Sequence, residues 1–228
     1  MMMWLPSFAV DYAQAPARVT GDILPDPGQR LKDCGSGLDG MRCRWYARQF
    51  GFTWWKVDIL VNALSAMNAP VDVMCVRCPE DAPHRAGYSP RLNKVWICAN
   101  LFWNPFELRR VLAHELVHAF DFARAKLDVR NKEHVACTEI RAWNLSGECE
   151  LWRKFGDYAA DDPLGLRMWS RKQRCVKDGA LRSMGGSQED MIAINSVFER
   201  CFRDHWPFTT EPHMDTRFRD SPMLTSES

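Results

Sequence analysis

The chain has 228 residues, 46% of them apolar and 26% charged, an ordinary balance for one globular domain with a real core. A formal net charge of +1 gives the whole molecule no electrostatic bias toward nucleic acid or an anionic membrane, so no nucleic-acid partner is expected. No stretch approaches the roughly 18 consecutive apolar residues of a spanning helix, so any membrane contact is expected to be peripheral.

In chain order, "MMMWLPSFAVDYAQAPARV" has a short apolar run but no basic residue before Arg18. It therefore resembles neither a secretory signal nor an Arg-rich mitochondrial presequence. Residues 1–40, with Pro6, Pro16, Pro25, Pro27 and "CGSGLDG", read as an irregular or disordered lead-in. "FTWWKVDILVNALSAMN" (52–68) has helical periodicity that ends at Pro70. "NKVWIC" (93–98) alternates and carries Val, Trp and Ile, which reads as a short strand. Beyond Asn104 the pattern predicts helices near 105–126, 132–145, 172–184 and 187–203, and then a mobile tail over 209–228.

Nine cysteines are scattered from Cys34 to Cys201, which suits disulfides stapling successive helices better than a clustered metal module. "CVRC" (Cys75, Cys78) lacks the second CxxC of a zinc knuckle. As a thiol oxidoreductase pair it lacks a convincing helix start behind it. The number is odd, so at least one thiol is free or bonded elsewhere.

The chemistry is carried by "HELVH". On a helix begun by Asn104 and Pro105, Leu112, Ala113, Leu116, Ala119, Phe120 and Ala123 form a buried stripe. His114, His118 and Asp121 line the opposite side, with Glu115 on its flank. Two imidazoles four residues apart can converge on one cation, and the glutamate between them can reach the attacking water and take its proton. A solvated helix with two chance histidines is the plain alternative. Against it, "VLAHELVHAF" is so apolar that the histidines sit in a mostly buried helix, where an unpaired imidazole is costly.

A catalytic zinc needs a third protein ligand and leaves its fourth place open. Asp121, Asp128, His134 and Glu139 are the candidates. Glu139, 21 residues after His118, is preferred, because a returning helix can present its long carboxylate; the competing reading is an ion pair with Arg141. Asp121 better suits a carboxylate behind an imidazole, or a pair with Arg124. The strand at 93–98 can serve either as the edge that pairs with an extended substrate or as an ordinary core strand. The expected fold is thus α+β and mainly helical, a single zincin-like metallopeptidase domain over 41–208 with a short sheet and disulfide-stapled helices.

"RVLAHELVHAFD", "HVACTEIRAWNLSGEC", "RCVKDGALRS" and "VFERCFRDHWPF", with "CVRC" and "WICAN" before them, together resemble one metalloprotease family. It is the mitochondrial inner-membrane family that matures and assembles ATP synthase subunit 6. The resemblance runs in order from about Cys43 to Phe208. It implies a Zn2+ protease held peripherally on the intermembrane-space side of the inner membrane, with oxidised cysteines and import through the thiol-relay machinery. It places His114 and His118 on the zinc ligands and Glu115 on the catalytic glutamate, and it supplies no third ligand. The implied partner is the subunit 6 precursor. Family members are also described as chaperones of that subunit's assembly, so a non-proteolytic assembly factor with a structural or vestigial zinc site is the alternative. The retained Glu115 favours the protease, since a structural site has no use for a general base.

Overall fold

The computed structural model describes residues 37–82, 84–150 and 168–209. Most of the expected lead-in and all of the expected tail beyond Thr209 lie outside these residues, as does Cys34. Among the described residues, six α-helices and three strands carry the fold: α1 (Leu38–Tyr46), α2 (Trp55–Ala66), β1 (Asp72–Val76), β2 (Ala86–Ser89), β3 (Lys94–Cys98), α3 (Pro105–Arg124), α4 (Lys132–Leu145), α5 (Met168–Met184) and α6 (Gln188–Arg203). This is the expected mainly helical α+β arrangement with a small sheet.

Local chemistry fixes the helix ends where the sequence marked them. Asn104 caps α3 by accepting the Phe106 N–H at 2.9 Å, with Pro105 in the first turn. Asn131 does the same for α4 through the Glu133 N–H at 2.9 Å, and Ser187 with Asp190 forms a reciprocal capping box on α6. At the other end of α4, the buried Lys56 ammonium donates to the Leu145 carbonyl at 2.9 Å, a cation placed where the helix dipole is negative. α2 starts later than its periodicity suggested, at Trp55, and α1 with a π turn (Ala47–Gly51) occupies a stretch the sequence left unassigned. Residues 38–40, read as part of the irregular lead-in, are the first turn of α1.

The sheet order is β1-β3-β2, with β1 parallel and β2 antiparallel to β3. The predicted strand is therefore the central one, and the reading of it as a substrate-holding edge is corrected. Four of its five residues are buried because it is paired on both sides. β2 is the edge that packs against α3.

Among the described residues the two larger of three hydrophobic clusters divide the interior. The larger unites α1, α2, β2, β3 and α3 with Ala142 and Leu145 of α4. The second unites the other side of α4 with α5 and α6. α4 is thus the shared wall. α3 is more deeply set than a one-sided stripe implies: every residue from Leu112 to Asp121 is buried, whereas Ala123, placed on the stripe by periodicity, is exposed.

The eight cysteines among the described residues form four disulfides: Cys43–Cys75, Cys78–Cys98, Cys137–Cys201 and Cys149–Cys175. The two cysteines of "CVRC" go to different partners, so neither a zinc knuckle nor a redox pair exists there. Only Cys137–Cys201 joins two helices directly; the others tie a helix or a strand to a strand or a loop.

Candidate metal centre

α3 and α4 pack against each other, and their facing sides bring together three of the residues singled out by the sequence. His114 Nε2 lies 3.6 Å from Glu139 Oε2, and His118 Nε2 lies 3.6 Å from Glu139 Oε1. The donor atoms of the trio all lie within 4.8 Å of one another, and all three residues are buried. Two donors held at ordinary Zn–N and Zn–O lengths on a tetrahedral ion stand about 3.4 Å apart, close to both histidine–glutamate spacings.

Three buried features fit a cation. Neither Glu139 oxygen has a hydrogen-bond partner at normal length, which is costly for a carboxylate unless a positive charge completes it. Its proton affinity is raised by burial, with His114 and the Ser183 hydroxyl pulling the other way. His118 is held well below the usual imidazole range, first by burial and then by His114, so it stays neutral with a lone pair to offer. The donor set of two imidazoles and one carboxylate suits zinc and leaves a fourth position for chemistry.

A hydrogen-bond chain aims His118. Its Nδ1 is 2.9 Å from Thr138 Oγ1, and that hydroxyl donates to Asp121 Oδ2, also at 2.9 Å. With the hydroxyl proton committed to Asp121, the threonine oxygen accepts Nδ1–H, which leaves Nε2 unprotonated toward Glu139. Asp121 therefore serves His118 through Thr138, and it also pairs with Arg124 at 3.1 Å as expected. Behind it, fully buried Arg141 donates from Nε to both Asp121 oxygens at 2.9 and 3.0 Å, and reaches Asp204 Oδ1 at 2.5 Å and the carbonyls of Asp204 and Trp206. Arg141 is thus engaged by Asp121 and Asp204, and Glu139 faces the histidines.

Asp128 and His134 satisfy each other instead, the Asp128 N–H donating to His134 Nδ1 at 3.1 Å near the surface. Thr138 and Trp143 were not legible as site residues. Trp143 stands edge-on to His114 with ring centres 5.5 Å apart and donates its indole N–H to Ser183 at 3.0 Å.

Glu115 lies on the flank of the trio, buried, with Oε2 making no hydrogen bond among the described residues. Its carboxyl is pushed up to about 8, chiefly by burial, with His114 opposing, Glu139 adding to the rise and the Tyr88 main-chain N–H of β2 opposing.

Two predictions arise from this packing. Gly179 of α5 lies under Trp143, and a Cβ there would come within 2.3 Å of the indole. Alanine is the better helix former by about 1 kcal/mol, so Gly179→Ala would stabilise an uncrowded helix. Here it is expected to destabilise by about 1–3 kcal/mol and to shift near-ultraviolet tryptophan dichroism; a higher urea midpoint would refute the crowding. The second concerns acid. Burial alone would raise Asp204, but Arg141 and Arg124 outweigh it and hold the carboxyl below its usual range. Stability from such a group is present above its unfolded value, about 4, and is lost as pH falls through the folded value. Metal-free protein should therefore melt at progressively lower temperature below about pH 4, and Asp204→Asn should flatten that dependence.

The profile of the Peptidase M76 family matches residues 42–209. The chain is 37% identical over 145 residues to the zebrafish mitochondrial inner membrane protease ATP23 homolog, covering 61% of this chain and 54% of that protein. It is 32% identical over 169 residues to the human homolog, covering 72% of this chain and 65% of that protein. With ATP23 of Debaryomyces hansenii it shares 35% over 187 residues, 79% of this chain and 73% of that protein. The chain thus spans only 54% and 65% of its vertebrate relatives. No solved structure matches it. A profile match covering the metal-centre helices and all four disulfides shows that the chain belongs to the Peptidase M76 family.

Proposed function

We propose that the protein is a zinc-dependent endopeptidase held peripherally on the intermembrane-space side of the mitochondrial inner membrane. The observation that carries the reading is the convergence of His114, His118 and Glu139 with an unengaged Glu115 oxygen beside them. Zinc bound by the trio supplies Lewis acidity toward water and the scissile carbonyl.

The chain's own residues do the rest. Thr138 and Asp121 hold the His118 tautomer, and Trp143 walls the His114 side. Glu115 takes a proton from the attacking water at its open oxygen and passes it to the leaving amine. A carboxylate shifted toward neutrality by burial is suited to both transfers. β2 offers its edge beside this glutamate, and the Tyr88 N–H fixes the glutamate's position.

Location is supported by the names of the relatives, which place those proteins at the mitochondrial inner membrane, and by the absence of any spanning helix among the described residues. Four disulfides need an oxidising compartment, which favours the intermembrane space and arrival through its thiol-relay machinery. The proposed substrate is the ATP synthase subunit 6 precursor, supported by the ordered motif resemblance, with assembly of the membrane sector as the accompanying role. The test is zinc per chain on oxidised protein. One zinc is expected, lost in His114→Ala and in Glu139→Ala; zinc that survives both substitutions would overturn the site.

A further inference from the structure

The outer face of α1 is apolar where a surface helix is normally polar. Gly40, Cys43 and Ala47 face inward, while Leu38, Met41 and Trp45, spaced three and four residues apart, are exposed. Rings extend this face in a connected series. Trp45 meets Phe50 at 5.4 Å and Phe50 meets Phe106 at 5.7 Å, while Tyr46 donates its hydroxyl proton to the carbonyl of Trp103, itself 72% exposed. Isolated exposed apolar side chains mean little, but a contiguous set of this kind marks a contact surface.

Its charge says what it contacts. The stretch 38–51 contains Arg42, Arg44 and Arg48 against Asp39, and that aspartate is already held by Arg42 at 3.0 Å. Arg42 stacks over Trp103 at 3.8 Å, and Arg109 lies over Phe106 at 4.8 Å and over Trp54 at 4.7 Å. Exposed tryptophans interleaved with arginines match the boundary of an anionic bilayer, where indoles settle at headgroup depth and guanidinium groups meet phosphates. The near-zero charge of the whole chain conceals this local excess.

The surface also borders a groove. A groove of about 400 Å³ runs between Trp54, Phe106, Arg109, Arg110 and Glu150. Arg110 precedes His114 by four residues, so the two project from the same side of α3, one turn apart.

We propose that α1, the π turn and the Trp103–Phe106 corner form the face by which the protein docks on anionic phospholipid. The proposal rests on the peripheral-membrane reading above. The docked face buries Leu38, Met41, Trp45 and Trp103 at headgroup depth, and Arg48 binds the phosphates.

The test is flotation of the full oxidised chain with phosphatidylcholine vesicles, with and without roughly one phosphatidylglycerol in five lipids. The natural sequence should float with the anionic vesicles and far less with the neutral ones. Trp45→Ser with Trp103→Ser should weaken binding about tenfold or more, with an unchanged thermal midpoint and unchanged hydrolysis of a short soluble peptide. Arg48→Gln should cost about fivefold on anionic vesicles only, and Glu115→Gln should float like the natural sequence. If the double variant floats like the natural sequence, this face is refuted and peripheral attachment stands. If the natural sequence floats with neither vesicle, both fall. A dimer in sedimentation that the double variant abolishes, with flotation unchanged, would make the face a protein contact and overturn the proposal.

Discussion

Glu115→Gln is expected to lower peptide hydrolysis by about a thousandfold while leaving one zinc per chain and the fold in place. The amide has nearly the same shape as the carboxyl and keeps an oxygen for the Tyr88 N–H, so the local packing survives. What disappears is the ability to accept and return a proton beside the trio. The substitution also removes an ionisable group that burial disfavours, so the variant should melt no lower than its parent. The measurement is a turnover assay with zinc content and a melt on the same preparation. Full turnover in a zinc-loaded variant would exclude Glu115 as the proton carrier. Loss of zinc would mean instead that Glu115 acts as a ligand.

Arg141→Met carries the largest expected loss of stability. Asp121 and Asp204, almost fully buried, are balanced by Arg141 and Arg124, two charges against two. Removing Arg141 leaves one buried carboxylate uncompensated and strips donors from the carbonyls of Asp204 and Trp206. Breaking a buried pair on one side costs about 3–5 kcal/mol, a large share of the roughly 5–15 kcal/mol that holds a domain together. The same change loosens Asp121, hence Thr138 and the aim of His118, so zinc affinity should drop as well. Urea unfolding of the oxidised protein with zinc present and absent separates the two effects. Arg141→Lys restores the charge without the planar fork and should recover only part of the loss. A stability change in Arg141→Met below about 1 kcal/mol would show that the cluster is not holding the C-terminal segment.

The grouping of the candidate metal ligands was legible because its determinants are local. Two histidines one helical turn apart share a face whatever surrounds them, and Asn104 with Pro105 announces the helix that carries them. Glu139 could be named from residue type and distance along the chain, since a capped second helix starts at Asn131. Thr138 could not, because its value lies in touching His118 and Asp121 at once, a fact of packing between helices. β1 and β2 were hidden for a related reason. "AGYS" has no alternation to read and becomes a strand only when β3 pairs with it, and the same pairing decides between the edge and core readings of β3 in favour of the core. Disulfide partners were illegible because connectivity follows from the finished fold. The docking face escaped notice since charge summed over the chain cancels, whereas charge on one helix does not.

The four crosslinks fall on two sides of a divide. Cys43–Cys75 and Cys78–Cys98 close within residues 43–98, and Cys137–Cys201 with Cys149–Cys175 closes within 137–201; none of the four spans the boundary. The candidate metal ligands straddle it, two on α3 between the crosslinked stretches and one on α4 within the second. Neither crosslinked stretch alone therefore holds the donor set, and the centre depends on the packing of α3 against α4 rather than on any crosslink.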